Sequence, residues 1–413
     1  MRRQLVAPYI ALQGGFADCV SGCRTVAANV EWSDNLVAGP TAGWAGSNAC
    51  GGPRKTARSG GWRGPVKQEP AVVSRSGTDQ NPRLQSRGGH QTLKKYPAAT
   101  GPRTWDSAES HGEPEEARGA SSGQTERVTL PVGYNTTILG LGDSAVLKGA
   151  NLQVKNANNV IIRNLDLRDA YDCFPVWQPN TGGLGDWKTS YDNIWPTGAT
   201  HVWIDHITAS DKGHPDAKEP TDFARNYLRH DGLLDITNGS DLVTVSWSRF
   251  ADHDKAMLIG NSDSATGDRG KLRVTLHHNQ FESIVQRAPR VRFGQVHVYD
   301  NRYVVPEGSE YRYSLGVSTE SGIYAEDNAF HTPGHVETAD LVKSWNGTAL
   351  HQTGTLFNGY PVDLLAIYNA YNSGSERDLT ADVGWTPTLH TKIDSAEAAD
   401  RQVARGAGAG RIP

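Results

Sequence analysis

The chain has 413 residues, is 37% hydrophobic and contains 45 Gly and 21 Pro. This composition disfavours a thick close-packed globule and favours a turn-rich, repetitive β architecture with a narrow core. No run approaches the roughly 18 apolar residues of a membrane span, so no membrane partner is expected. Charge divides the chain: residues 1–103 carry 14 Lys+Arg against 5 Asp+Glu, a net of +9 in a chain whose total is −4, so residues 104–413 carry −13.

Residues 1–103 read as an atypical, basic region. From 51 to 103 there is no sustained period of 2 or 3.6, and Gly, Arg, Ser and Pro dominate. A basic, apolar-poor stretch of this kind is expected to be disordered rather than to form a nucleic-acid arm. It is also expected not to be the natural start of the domain that follows. Cys19 and Cys23 are four apart, but no second pair with metal-site spacing follows them, so zinc is not indicated. The Met1-Arg2-Arg3 start and the broken apolar run after it make a poor signal peptide. A short helix is expected around residues 114–118, and regular β patterning begins at Val128.

From there a repeat governs the chain. Segments beginning at Val160, Val202, Val243, Val274, Val296 and Ile323 align. Two residues on stand Ile162, Ile204, Val245, Leu276, Val298 and Ala325; seven on stand Leu167, Ala209, Phe250, Phe281, Tyr303 and Phe330. Alternate residues of a strand share a face, so these columns point inward. Five on, the last three repeats give Asn279, Asn301 and Asn328. Asn tolerates a left-handed turn and can bond to its own kind one coil away. Starts are 42, 41, 31, 22 and 27 residues apart, which makes about 22 one tight coil and the longer spacings coils with loops. The expected fold class is therefore all-β, a parallel β-helix solenoid over 104–413 with long loops forming a cleft. A sandwich would need hairpin turns that are scarce here, and a propeller would need four strands in each blade of 40–45 residues.

Four segments carry chemistry. In the segment 230–235, Asp231 and Asp235 fall on one face, with Asp192 one repeat earlier; clustered carboxylates suit a hard cation such as calcium. Asp-x3-Asp alone is more often solvated surface. Lys255 follows Asp252, His253 and Asp254, which is commonly an ordinary ion pair but could hold an anion beside a metal. Arg287, Arg290 and Arg292 crowd together, a cluster that either recognises carboxylates or pairs with acids of a neighbouring coil. His206, beside strand residues, reads as a structural histidine.

Taken in order, VWIDH (202–206), HDGLLDITNGSDLVTVSW (230–247), HDKAMLIGNSDS (253–264), GKLRVTLHHNQFESIVQRAPRVRFGQVHVYDN (270–301) and SGIYAEDNAF (321–330) resemble polysaccharide lyase family 1, the pectate lyases, most like secreted actinomycete-type members. The likeness runs from about residue 135 to the C-terminus, and several long strings in the right order make it specific. It implies a right-handed parallel β-helix that cleaves de-esterified polygalacturonate by calcium-assisted β-elimination to 4,5-unsaturated products. It further implies Asp192, Asp231 and Asp235 as Ca2+ ligands, Lys255 and Arg292 as substrate-binding residues and Arg287 as the catalytic base. Secretion and a monomeric state are implied too. The stretch 174–182 lacks acids that the family has there, which would weaken an additional calcium site. Pectin lyase would not need the three aspartates. A polygalacturonase would use paired acids and water. The alternative outside enzymes is a β-helix that binds pectin without cleaving it, or a product inactive through its abnormal N-terminus.

Overall fold

A computed structural model describes residues 124–412, except 173–174, 179–184, 213, 220, 223–224, 373–377, 389 and 391, together with three short N-terminal strands, Tyr9–Leu12, Val30–Trp32 and Val72–Ser74. The expected helix at 114–118, Cys173 and most of the basic stretch lie outside the described residues. Among the described residues, no helix is long and apolar enough to cross a membrane.

The repeat folds as its columns require. Successive coils stack their strands into three parallel sheets, the arrangement that right-handed crossovers produce. The first sheet pairs Val160 with Val202, Val202 with Val243, Val243 with Val274, Val274 with Val296 and Val296 with Ile323, the register that the sequence columns require. The second sheet aligns Leu167, Ala209, Phe250, Phe281, Tyr303 and Phe330 in the same way. The third is built of two pieces, around Asn151–Lys155 and around Arg290–Val291, bridged by Leu234 and Ile236. Pro196 lies in strand Ile194–Thr197, which ends the first piece. An end strand is where a missing N–H costs least.

The core is one column of Val, Ile, Leu and aromatic side chains. Phe250, Phe281, Tyr303 and Phe330 stack through it, neighbouring ring centroids lying 5.3, 4.9 and 4.3 Å apart with planes within 17° of parallel. Beside it runs an amide ladder. Asn279 Nδ2 donates to Asn301 Oδ1 (3.1 Å) and Asn301 Nδ2 to Asn328 Oδ1 (3.0 Å). The left-handed turn falls one residue earlier than expected. Asn164, His206, Trp247, His278, Asp300 and Asp327 all have φ between 47° and 58°, whereas the three ladder asparagines do not have positive φ. The asparagines are thus selected for what their side chains bond rather than for their backbone.

Two C-terminal helices finish the molecule. Helix α1 (Leu364–Asn372) buries Leu364 and Tyr368 in the end of the core column. Helix α2 (Ala396–Gly406) lies back along the outside, burying Ala396, Ala399 and Val403, with its Asp400 bonded to Arg302 and His331.

Candidate active site

The six residues singled out from the sequence come from successive coils, and the register brings them together. Asp192 lies two residues before the start of strand Ile194–Thr197, and the next coil places Leu234 beside Ile194, between Asp231 and Asp235 in the chain. Lys255 ends strand Arg249–Lys255 and pairs with Gln286, so Arg287 follows directly on the adjoining coil. Arg290 pairs with Leu258, whose N–H donates to Asp235 Oδ1 (2.9 Å).

The Asp192 and Asp235 carboxylates crowd against Gly232, where a side chain would stand. A Cβ built there would stand 2.4 Å from Asp235 Oδ1 and 2.9 Å from Asp192 Oδ1. The Gly232 N–H donates to Asp192 Oδ1 at 2.7 Å. Burial, then repulsion from Asp235 and Asp231, pushes the Asp192 carboxyl well above the usual range. Burial and Asp231 push Asp235 up to about 7, although Arg287 and Lys255 oppose the shift. Lys255 Nζ donates to Asp231 Oδ1 at 3.3 Å. Burial disfavours the ammonium, but Asp231 and Asp254 outweigh it and Lys255 is held above its ordinary value. Two buried carboxylates, Asp192 and Asp235, with the partly exposed Asp231 beside them, repel one another and make an all-oxygen donor set that fits a hard divalent cation such as calcium.

Arg287 holds its backbone at φ 62°, in the left-handed region where a non-glycine residue is strained. Its Nε is buried with no hydrogen-bond partner, so one guanidinium donor is left unpaired. Arg292 donates to Asp263 Oδ1 (2.8 Å) and to the Gly260 carbonyl (3.0 Å). Arg290 lies with its guanidinium 4.1 Å from the Trp345 ring centroid, and burial followed by Arg292 brings it down to about 10. The arginine cluster is therefore mixed: Arg292 pairs with an acid, while Arg287 keeps its Nε donor unused.

Sequence reasoning missed the brace behind the site. His253 Nδ1 meets Asp211 Oδ2 at 2.5 Å and its Nε2 meets the Asp231 carbonyl at 2.9 Å. His230 is held by Asp216 (2.9 Å) and Asp169 (3.1 Å). Both partners of each ring are acceptors, so each ring must donate from both nitrogens. Burial opposes this charge, yet Asp211, Asp169 and Asp216 raise His230 to about 10. The signal lay in the repeated His-Asp pairs at 230–231 and 253–254, which gave no hint of partners 14 to 61 residues away. His206 is structural as expected, bonded to Asp205 at 2.8 Å. Of the acid-poor stretch 174–182, only 175–178 lies within the described residues.

A single column of coils that presents clustered acids, a buried lysine and an arginine with a free Nε along one flank is a polysaccharide-processing β-helix. A family model described as pectate lyase matches residues 21–411. The chain is 44% identical over 324 residues to a pectate lyase of Bacillus subtilis, covering 78% of this chain and 75% of that one. It is 39% identical over 251 residues to pectate lyase E of Dickeya chrysanthemi, covering 58% and 61%. Among solved structures, a pectate lyase bound to a hexasaccharide superposes with a TM-score of 0.71 at 42% identity over 78% of this chain and 79% of that one. A thermostable pectate lyase superposes with a TM-score of 0.73 at 39% identity over 78% of each. The chain belongs to the pectate lyase family and is a polysaccharide lyase.

Proposed function

We propose that residues 104–413 form the catalytic unit, that it cleaves de-esterified polygalacturonate, and that Asp192, Asp231 and Asp235 hold the Ca2+ the reaction needs. The convergence of three carboxylates with Lys255 and Arg287 on consecutive coils carries this reading. The proton to be removed, on C5, is α to the uronate carboxylate. Bound among the aspartates, calcium supplies positive charge that favours the developing enolate-like state. Lys255 and Arg292 pair with uronate carboxylates and orient the sugar. Arg287 first gives up its guanidinium proton to solvent, which the positive charge of Lys255, Arg292 and the bound cation favours; the neutral group then takes the C5 proton, the electron pair forms the C4–C5 double bond, and the C4–O bond breaks, its oxygen gaining a proton from solvent. The excess of acid over base in 104–413 would repel a polyanion, and a resident cation offsets this at the point of binding. We further propose that the protein is secreted and acts as a monomer.

The test is ultraviolet absorbance of the 4,5-unsaturated product on polygalacturonate, with calcium and then with EGTA. A calcium-dependent rise is expected. No rise from folded protein would favour a pectin-binding β-helix, and reducing ends without unsaturation would indicate hydrolysis.

A further inference from the structure

The left-handed turn column carries a second cluster, on a different edge of the solenoid from Lys255 and Arg287. His278 and Asp300 occupy equivalent turns of adjacent coils, with φ of 54° and 55°. Asp394 arrives from the segment just before α2. One ligand atom from each lies within 4.8 Å of the other two. We propose that His278, Asp300 and Asp394 form a metal site for a divalent transition ion of the zinc type, tying the C-terminal segment to the solenoid.

The spacing is wrong for hydrogen bonds and right for a shared ion. His278 Nε2 lies 3.7 Å from Asp300 Oδ2 and 3.8 Å from Asp394 Oδ2. Hydrogen bonds to nitrogen end near ~3.2 Å, whereas two donors each about 2.0–2.2 Å from one ion stand in this range. Asp300 supplies an independent sign. Its side chain is fully buried, and its Oδ1 has no hydrogen-bond partner among the described residues. Its Oδ2 accepts the Asp394 N–H at 3.0 Å. A buried carboxylate with an unused oxygen is costly unless a cation completes it.

The ring is oriented for the role. His278 Nδ1 lies 3.1 Å from His277 Nδ1, and the ring stacks on Trp247 with centroids 4.4 Å apart. Those contacts fix the plane and leave Nε2 toward the two carboxylates, as an outer partner does for a metal-bound imidazole. Asp394 is itself held by Lys392 Nζ (2.5 Å) and Gln402 Nε2 (2.9 Å). One imidazole with two carboxylates suits zinc, manganese or cobalt, whereas the all-oxygen cluster at Gly232 suits calcium.

The test uses the untagged full chain, stripped with EDTA and supplied with excess Ca2+ to fill the oxygen site. Zn2+ is then titrated by calorimetry and thermal unfolding is followed. One Zn2+ per chain that calcium does not displace, with a raised Tm, is expected. Asp300→Asn should weaken it by at least about tenfold, while Gly232→Ala leaves it unchanged. No zinc binding, equal binding by folded Asp300→Asn, or loss of the ion in Gly232→Ala would overturn the assignment. Should Asp300→Asn not fold, Co2+ in the unaltered chain decides. Intense visible d–d bands of a low-coordinate nitrogen–oxygen site support the proposal, and the pale spectrum of hydrated cobalt sinks it.

Discussion

Gly232 lacks a side chain where two carboxylate oxygens already fill the space that one would need. Gly232→Ala is expected to lower calcium affinity at least tenfold, on the order of an outer-shell defect, while circular dichroism stays unchanged; calorimetry with Ca2+ checks it. Arg287→Ala should cut kcat about 10²–10⁴-fold, the usual worth of a positioned base, with calcium binding retained; steady-state rates on polygalacturonate decide. The six candidate positions could be picked out because long strings fix their identity, and the coil register sets Lys255 beside Arg287 and Asp192 beside the segment of Asp231 and Asp235. Their partners were not. Asp263 on Arg292 and Asp211 on His253 belong to excursions whose return path depends on loop length, which periodicity does not encode.

Strands and turns show the same division. The Val, Ile and aromatic columns could be read directly, since inward positions must repeat wherever coils stack. The position of the left-handed residue was misread by one place, because Asn suits both that backbone and the side-chain ladder. Its true occupants are Asn, Asp or His in five coils of six, types that tolerate this backbone, and only Trp247 is unusual there; the asparagine one place on masked the cue. Asn301 is the test. Its amide donates to the Leu276 and Tyr299 carbonyls as well as to Asn328, and its oxygen receives Asn279. Asn301→Ala would leave several buried groups unpaired and should cost about 1–3 kcal/mol for each such group before relaxation; the shift in urea midpoint measures it. Replacing the exposed Tyr360 by Ser should change it little, since no column passes through that residue.

At the scale of the whole molecule, the excursion between Ser210 and Asp241 is fastened to the column by buried charge. His230 is ordinarily half-protonated near pH 6.5 but is raised to about 10 in the fold by its acids, against the opposing effect of burial. The folded state therefore holds this proton more tightly than the unfolded chain does. That stabilisation is complete below about pH 6.5 and is lost as pH climbs to about 10. Melting temperature should fall across this window in EDTA, and His230→Gln should flatten the slope. The solenoid itself was evident from the repeat. The two C-terminal helices were not, because each packs on coils that are its neighbours only after the column has formed.

A column of in-register strands has an open rim at each end, where backbone groups could accept a further strand from another molecule. At the C-terminal rim the chain deals with its own edge. Leu356–Phe357 is followed by the reversed strand Tyr360–Pro361, whose proline has no N–H to offer, and α1 packs against Leu350–Thr353. Growth by adding like coils, the route by which parallel sheets become fibres, thus meets a blocked template at that end. Shortening the chain before Tyr360 would uncover the edge and turn a soluble column into a seed.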